Sequence, residues 1–217
     1  FSGIETINIL KELSQELIDI SSTKYKILYK KIDKVCSYAF KKNVPIMIDA
    51  EESWIQPIID HLVEEMMIKY NRKETLIFNT VQLYRSEKLD YLKKTIEKFK
   101  KQNIKCGFKL VRGAYLEKEN YYAFKNCKIS PINETKEKTD EDFNSALKIC
   151  IQELDYVSIC CATHNDKSTN LLIDLVKQNN ISISDKRIYF SQLFGMSDNI
   201  TSILAENKFN VAKYLPY

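Results

Sequence analysis

The chain has 217 residues, of which 44% are hydrophobic, so it is long enough to bury the core of a domain. Its 33 basic and 29 acidic residues leave a net charge of +4 and are mixed along the chain, which argues against the basic stripe of a nucleic-acid-binding protein. No apolar run approaches the roughly 20 residues that a membrane-crossing helix needs. We therefore expect residues 1–217 to form one globular domain, or a large part of one.

The first half of the chain alternates helical and extended patterns. Ser2 and Glu5 form a capping box that starts a helix, whose apolar face contains Leu10, Leu13 and Leu17. Helical spacing of apolar residues predicts further helices near 25–40, 53–69 and 87–102. Short apolar runs predict strands at 44–48, 75–79 and 105–111.

A polar stretch, Glu117–Thr139, interrupts this rhythm, and we interpret it as a loop beside the site that could act as a mobile lid. A helix containing Phe143 and Leu147 follows it. The remaining predicted elements are a strand at 156–161, a helix at 168–179, a strand at 187–192, a helix at 198–207 and a strand at 210–214.

Six strands alternating with helices are compatible with an open doubly wound sheet or with a (β/α)8 barrel. Polar residues follow five successive strands, which favours a barrel, because an open sheet concentrates its ligand groups at one switch point. No GxGxxG motif opens a helix, which also argues against a dinucleotide-binding sheet. Because six strands cannot close this barrel, we predict an incomplete TIM-like barrel of about six βα units.

The six cysteines occur singly or as the pair Cys160 and Cys161, within apolar segments and without the spacing of metal ligands. We interpret all of them as reduced core residues and predict no metal site. The chain begins with Phe1 and shows no signal-peptide pattern, so we do not expect residue 1 to be the native start.

The run 108–115 is the most informative motif, because an apolar strand turns there into a basic, glycine-containing corner that ends in a tyrosine. Such a corner suits an anionic or aromatic ligand. Together with the polar residues after other strands, it gives five ordered motifs: Ile48-Asp49-Ala50-Glu51, Thr80-Val81-Gln82-Leu83-Tyr84, Lys109-Leu110-Val111-Arg112-Gly113-Ala114-Tyr115, Thr163-His164-Asn165 and Gln192-Leu193-Phe194-Gly195-Met196-Ser197-Asp198. In this order they resemble the proline dehydrogenase (proline oxidase) family over nearly the whole chain.

The resemblance implies a distorted (β/α)8 barrel with noncovalent FAD that oxidises L-proline to Δ1-pyrroline-5-carboxylate, by hydride transfer from C5 to flavin N5, and passes the electrons to a quinone. Members act in the mitochondrial matrix of eukaryotes or in the bacterial cytoplasm at the membrane face, so peripheral membrane association and an unsecreted protein are expected. The six strands would be the third to the eighth of the family barrel. The chain would then lack a family lysine on an early strand and the paired arginines of the last helix, and we expect this stretch alone to be a flavin-binding fragment without turnover.

By the resemblance, Lys109 lies near the flavin N5 and stabilises the negative charge of reduced flavin. The simpler alternative is a lysine at the end of a strand that reaches solvent. Asp49 matches an aspartate that pairs with the family lysine and positions the pocket, although an aspartate after a strand also commonly caps the next helix. We expect these two residues to be the catalytic pair.

The same resemblance predicts that Arg112, Gly113 and Ala114 lie along the FAD, with the guanidinium suited to phosphate and the small residues allowing close approach. Gln82 is expected at the flavin pyrimidine edge, unless it only satisfies loop backbone. The other predicted cofactor residues are Ala50, Thr163, His164, Asn165 and Gln192. Tyr115 and Tyr214 are expected to form walls of the proline pocket.

Three alternatives stay open at this point. The first is oxidation of hydroxyproline, and the second is a flavin-binding module without turnover. The third is a barrel enzyme that binds a phosphorylated substrate at helix N-termini. This last alternative predicts a glycine-rich loop after the strand at 187–192, where the chain has Phe194-Gly195-Met196.

Overall fold

The computed structural model describes residues 6, 8–10, 12 and 20–215. Within residues 20–215 the strands are β1 (Ile46–Ile48), β2 (Ile77–Gln82), β3 (Cys106–Val111), β4 (Val157–Ala162), β5 (Ile188–Leu193) and β6 (Val211–Tyr214). The helices of the same range are α1 (Thr23–Lys42), α2 (Gln56–Tyr70), α3 (Lys88–Lys101), α4 (Leu116–Lys125), α5 (Lys136–Gln152), α6 (Asp166–Gln178) and α7 (Asp198–Glu206). The predicted capping box at Ser2 and Glu5 lies outside the described residues, as do Leu13 and Leu17.

Side-chain caps define the start of several helices. Ser22 caps α1 by accepting a hydrogen bond of 3.1 Å from the backbone N–H of Tyr25, and Thr135 caps α5 by accepting one from Lys138. The C-cap residue of α1 is Asn43, which adopts the left-handed conformation with φ of 54°. Asparagine tolerates that conformation better than most residues, so the chain can turn there into β1.

The six strands form one parallel sheet in the order β1-β2-β3-β4-β5-β6. Each strand pairs with the next one along the chain, whereas a doubly wound sheet reverses its strand order at a switch point. The sheet also curls. This is evident from Tyr214 at the end of β6, whose hydroxyl group lies 3.1 Å from the carboxylate of Asp49 after β1. The predicted incomplete TIM-like barrel is therefore confirmed.

The core lies between the outer face of this sheet and the helices. Successive side chains of a strand point to opposite faces. In β3, Phe108 and Leu110 consequently join the buried core, whereas Lys109 and Val111 face a cleft inside the curl. None of the helices in the described part of the chain combines the length and the hydrophobicity that a bilayer-spanning segment requires.

Two sequence predictions were wrong. The stretch predicted as a loop contains α4, a ten-residue helix that buries only Glu119 and Ala123 and therefore lacks a recognisable apolar stripe. Acidic residues in its first turn favour a helix, since they complement the positive end of the helix dipole. The other error concerns Cys127, which is exposed just beyond α4, while the other five cysteines are buried as expected.

Candidate functional site

A cleft of about 690 Å³ lies at the C-terminal ends of the strands, inside the curl of the sheet. Every residue that the sequence predicted for the site lines this cleft. Parallel strands in consecutive order explain the convergence, because all their C-terminal ends lie at one edge of the sheet. The structure therefore brings the predicted residues together, although their individual roles stay predictions.

A largely buried cation, Lys109, lines the floor of the cleft. Lys109 Nζ donates a hydrogen bond of 2.5 Å to Oδ1 of Asp49, and the lysine side chain is 11% exposed against 45% for the aspartate. The same Nζ lies 4.6 Å from the centre of the Tyr214 ring, a distance at which a cation is attracted to an aromatic face. Most of the Lys109 side chain is therefore shielded from solvent, and Asp49 does not cap α2, whose N-cap is Ile55.

Each of the three guanidinium nitrogens of Arg112 donates a hydrogen bond to another side chain. Nε donates to Asp140 at 2.6 Å, Nη1 to Oγ1 of Thr163 at 2.8 Å and Nη2 to Oγ of Ser168 at 2.9 Å. The guanidinium also lies 4.4 Å from the centre of the Phe143 ring. This side chain therefore ties the end of β3 to α5 and α6, and its predicted role as a phosphate ligand remains a prediction.

Gly113 is required by two features of the corner after β3. Its φ is +141°, a conformation that L-residues rarely adopt, and a Cβ atom there would lie 2.4 Å from the ring of Tyr84. Burial raises the pKa of this tyrosine to about 12, so it is neutral at ordinary pH. Any larger residue at position 113 would have to displace the ring.

Two buried glutamines line the cleft, and they differ in their hydrogen bonds. Gln192 is 2% exposed, donates to the carbonyl oxygen of Thr163 at 3.2 Å and accepts from Thr201 at 2.9 Å. Gln82 is equally buried, but its Oε1 atom has no partner among the described residues. A buried acceptor without a partner destabilises a fold, so this atom is suited to a donor on a ligand.

The segment after β4 combines structural contacts with exposure to the cleft. Thr163 Oγ1 accepts from Arg112 and from the backbone N–H of Asn165. Asn165 caps α6 by accepting a 3.1 Å bond from the backbone of Ser168, so its side chain already has a structural partner. His164 is exposed, with Nδ1 at 3.1 Å from Oγ of Ser197. None of these contacts assigns a cofactor role.

Sequence reasoning assigned no role to two charged residues of the cleft, Glu51 and Lys136. Glu51 accepts a 2.8 Å hydrogen bond from the hydroxyl group of Tyr115, whose pKa is raised by burial and by this bond. Lys136 begins α5 within the stretch predicted as a loop. The other lining residues without an assigned role are Thr80, Val111, Ala162, Ser191 and Leu193. Strand alternation from Lys109 would have indicated Val111. The stretch 117–139 was expected beside the site, but no local pattern singled out Lys136 within it.

Strand order and cleft together define the class of protein: a (β/α)8-type barrel with a cleft at its C-terminal face, where barrels of this class bind their ligands. Within that class, the chain belongs to the proline dehydrogenase family, because the family model described as "Proline dehydrogenase" matches residues 4–217. This confirms the family that the five motifs indicated.

Known proteins agree with this assignment. "Proline dehydrogenase 1, mitochondrial" of Dictyostelium discoideum is 31% identical over 220 residues, covering 98% of this chain and 38% of the relative. The Caenorhabditis elegans protein of the same description is 34% identical over 213 residues, covering 96% and 35%. The chain thus spans little more than a third of these relatives. A crystal structure of proline utilization A from Bdellovibrio bacteriovorus, inactivated by N-propargylglycine, has a TM-score of 0.82 at 19% identity, over 88% of this chain and 20% of that one, and supports the fold.

Proposed function

We propose that the full-length protein containing this chain oxidises L-proline to Δ1-pyrroline-5-carboxylate in proline catabolism, with FAD as its cofactor and a quinone as the final electron acceptor. One observation carries the proposal: a buried lysine, Lys109, lies at the floor of the cleft, paired with Asp49 and beneath the ring of Tyr214. Family membership and the convergence of the predicted residues in one cleft support it.

The residues of the cleft fit a flavin nucleotide. The unpartnered Oε1 atom of Gln82 can accept a hydrogen bond from a ligand N–H, which flavin offers at its pyrimidine edge. Gly113 and Ala114 let a flat ligand approach the backbone closely, and the cleft volume lies within the usual range for cofactor sites. The residues that would hold it are Ala50, Gln82, Lys109, Arg112, Gly113, Ala114, Thr163, His164, Asn165 and Gln192.

Bound FAD supplies the acceptor for a hydride, and the protein's task is to orient the substrate and stabilise charge. Lys109 places a positive charge in a poorly solvated position, where it stabilises negative charge more strongly than it would in water. Asp49 fixes the position of that ammonium group through a 2.5 Å bond. Tyr115 and Tyr214 supply aromatic walls that exclude water and orient the ring of proline.

The test is the visible absorbance spectrum of the purified full-length protein, recorded without oxygen before and after L-proline is added. We expect flavin bands that bleach on addition, with appearance of Δ1-pyrroline-5-carboxylate. Bands that bleach with hydroxyproline and not with proline would change the substrate. Bands that persist with both would leave a flavin-binding protein without this activity, and a spectrum without flavin bands would contradict the cofactor. Addition of a quinone to the bleached protein then tests the electron acceptor, since a working acceptor should restore the flavin absorbance bands.

A further inference from the structure

Four consecutive residues after β1 contact one face of α4 and its N-cap residue, Tyr115. The contacts pair Glu51 with Tyr115, Glu52 with Lys118, Ser53 with Glu119 and Trp54 with Tyr122. The partners on the helix side are spaced i, i+3, i+4 and i+7, which places them on one side of a helix. We call these eight residues the clasp.

Glu119 is the buried centre of the clasp. It is fully buried, and its two carboxylate oxygens accept bonds of 2.6 Å from the backbone N–H and from the hydroxyl group of Ser53. No ion pair to Glu119 occurs among residues 20–215, so these two bonds are its main compensation for burial. Beside it, the rings of Trp54 and Tyr122 stack with their centres 4.0 Å apart.

The clasp joins the two strand ends that carry the central ion pair of the cleft. β2 lies between β1 and β3 in the sheet, so the clasp links the ends of two strands that are not direct neighbours. Asp49 lies two residues before the first clasp residue, and its partner Lys109 belongs to β3, which leads into α4. The same loop is fixed from its other side, because the backbone N–H of Glu51 donates to Gln56 at 2.8 Å.

We propose that the clasp positions Asp49 and Tyr115 for substrate binding, with Ser53 and Glu119 as positioning residues that do not touch the substrate themselves. The proposal rests on the function proposed above. A rigid link between the loop and α4 keeps Asp49 within bonding distance of Lys109, and it keeps Tyr115 bonded to Glu51 as a wall of the cleft. Loosening the link should therefore weaken the binding of proline more than it slows the reaction of bound substrate.

The test uses the full-length, flavin-loaded protein with Ser53→Ala, Glu119→Gln and both together. Each single substitution should raise the KM for L-proline about tenfold, as expected for the loss of one hydrogen bond to a charged group, with a smaller change in kcat. Both substitutions affect the same contact between Ser53 and Glu119. The KM of the double variant should therefore be no higher than that of the single variant with the higher KM. Glu117→Gln, at an exposed position of the same helix, is the matched control, and Ser53→Thr, which keeps the hydroxyl group, should restore the normal KM.

A purely structural role would lower the active fraction and hence kcat, and would leave KM unchanged. That result, or fully additive effects of the two substitutions on KM, would overturn the proposal. If Glu119→Gln does not fold, Ser53→Ala and Ser53→Thr carry the comparison.

Amide hydrogen exchange in residues 49–54 needs no substrate, so it tests the clasp even if the wild-type protein proves inactive on proline. Exchange about tenfold faster in Ser53→Ala than in Glu117→Gln supports the clasp, and equal exchange contradicts it.

Discussion

The hydroxyl group of Tyr214 donates a hydrogen bond of 3.1 Å to Asp49, although the two residues are 165 positions apart in the chain. The bond joins the end of the last strand to the end of the first across the open side of the curled sheet. Both residues also contact Lys109, one through its ring and the other through its carboxylate. These three side chains therefore form one unit at the floor of the cleft.

Replacing Tyr214 separates the contribution of its hydroxyl group from that of its ring. Tyr214→Phe loses the bond to Asp49 and keeps an aromatic face over Lys109, so we expect the KM for L-proline to rise roughly fivefold in the full-length protein, as for one modest hydrogen bond. Tyr214→Leu loses both the hydroxyl group and the aromatic ring, so its KM should be several-fold higher than that of Tyr214→Phe. Steady-state kinetics measure the difference, with the exposed Tyr38→Phe as control. Equal effects of Phe and Leu would contradict the contribution of the ring.

Replacing Lys109 tests its proposed electrostatic role. Lys109→Met keeps the length of the side chain and removes its charge, so reduction of the flavin by proline should slow about a hundredfold, which is the usual effect of removing one donor aimed at developing charge. Rapid-mixing absorbance without oxygen measures this rate. Lys94→Met, a substitution of the same type at an exposed position, is the control. An unchanged rate in Lys109→Met would remove this residue from the mechanism.

The two buried glutamines should respond in opposite ways to replacement by leucine. Gln82→Leu removes an acceptor that has no partner among the described residues, so the protein freed of flavin should be as stable as the wild type, or more so. Gln192→Leu removes two hydrogen bonds and should lower the free energy of unfolding by about 1–3 kcal/mol. Thermal or urea unfolding of the flavin-free protein measures both. Flavin affinity should fall in Gln82→Leu, and unaltered affinity would be evidence against its predicted contact.

Thiol labelling should be confined to Cys127 within this chain. Burial raises the pKa of Cys36 to about 11 and those of Cys106 and Cys160 to about 12. Because the thiolate is the reactive form, these groups stay protonated and unreactive from pH 7 to pH 9 in the folded protein. Peptide mapping after treatment with a maleimide should therefore find modified Cys127 alone, whereas labelling in urea should reach the other cysteines. Rapid labelling of Cys160 in the folded protein would show that the sheet opens around β4.

Local patterns in the sequence were sufficient for most of the fold. Apolar periodicity indicated the strands and the helices that pack on them to within a few residues, because a buried strand or helix face requires it. α4 was missed since its buried face consists of a glutamate and an alanine beside the half-buried Tyr122, which does not differ in composition from a loop. Its burial depends on Ser53 and Trp54, whose proximity no local rule predicts.

The sequence by itself determined the family, the alternation of strands and helices, and the set of residues that meet in one cleft. Only the tertiary structure decided how those residues pair. Asp49 bonds to Lys109 across 60 positions and Ser53 to Glu119 across 66, and both pairs exist because parallel pairing places the ends of β1, β2 and β3 side by side. Likewise, the hydrogen-bond partners of Arg112 come from α5, from α6 and from Thr163 after β4. Propensity and capping act over a few residues, so contacts at such separations depend on strand register and helix packing.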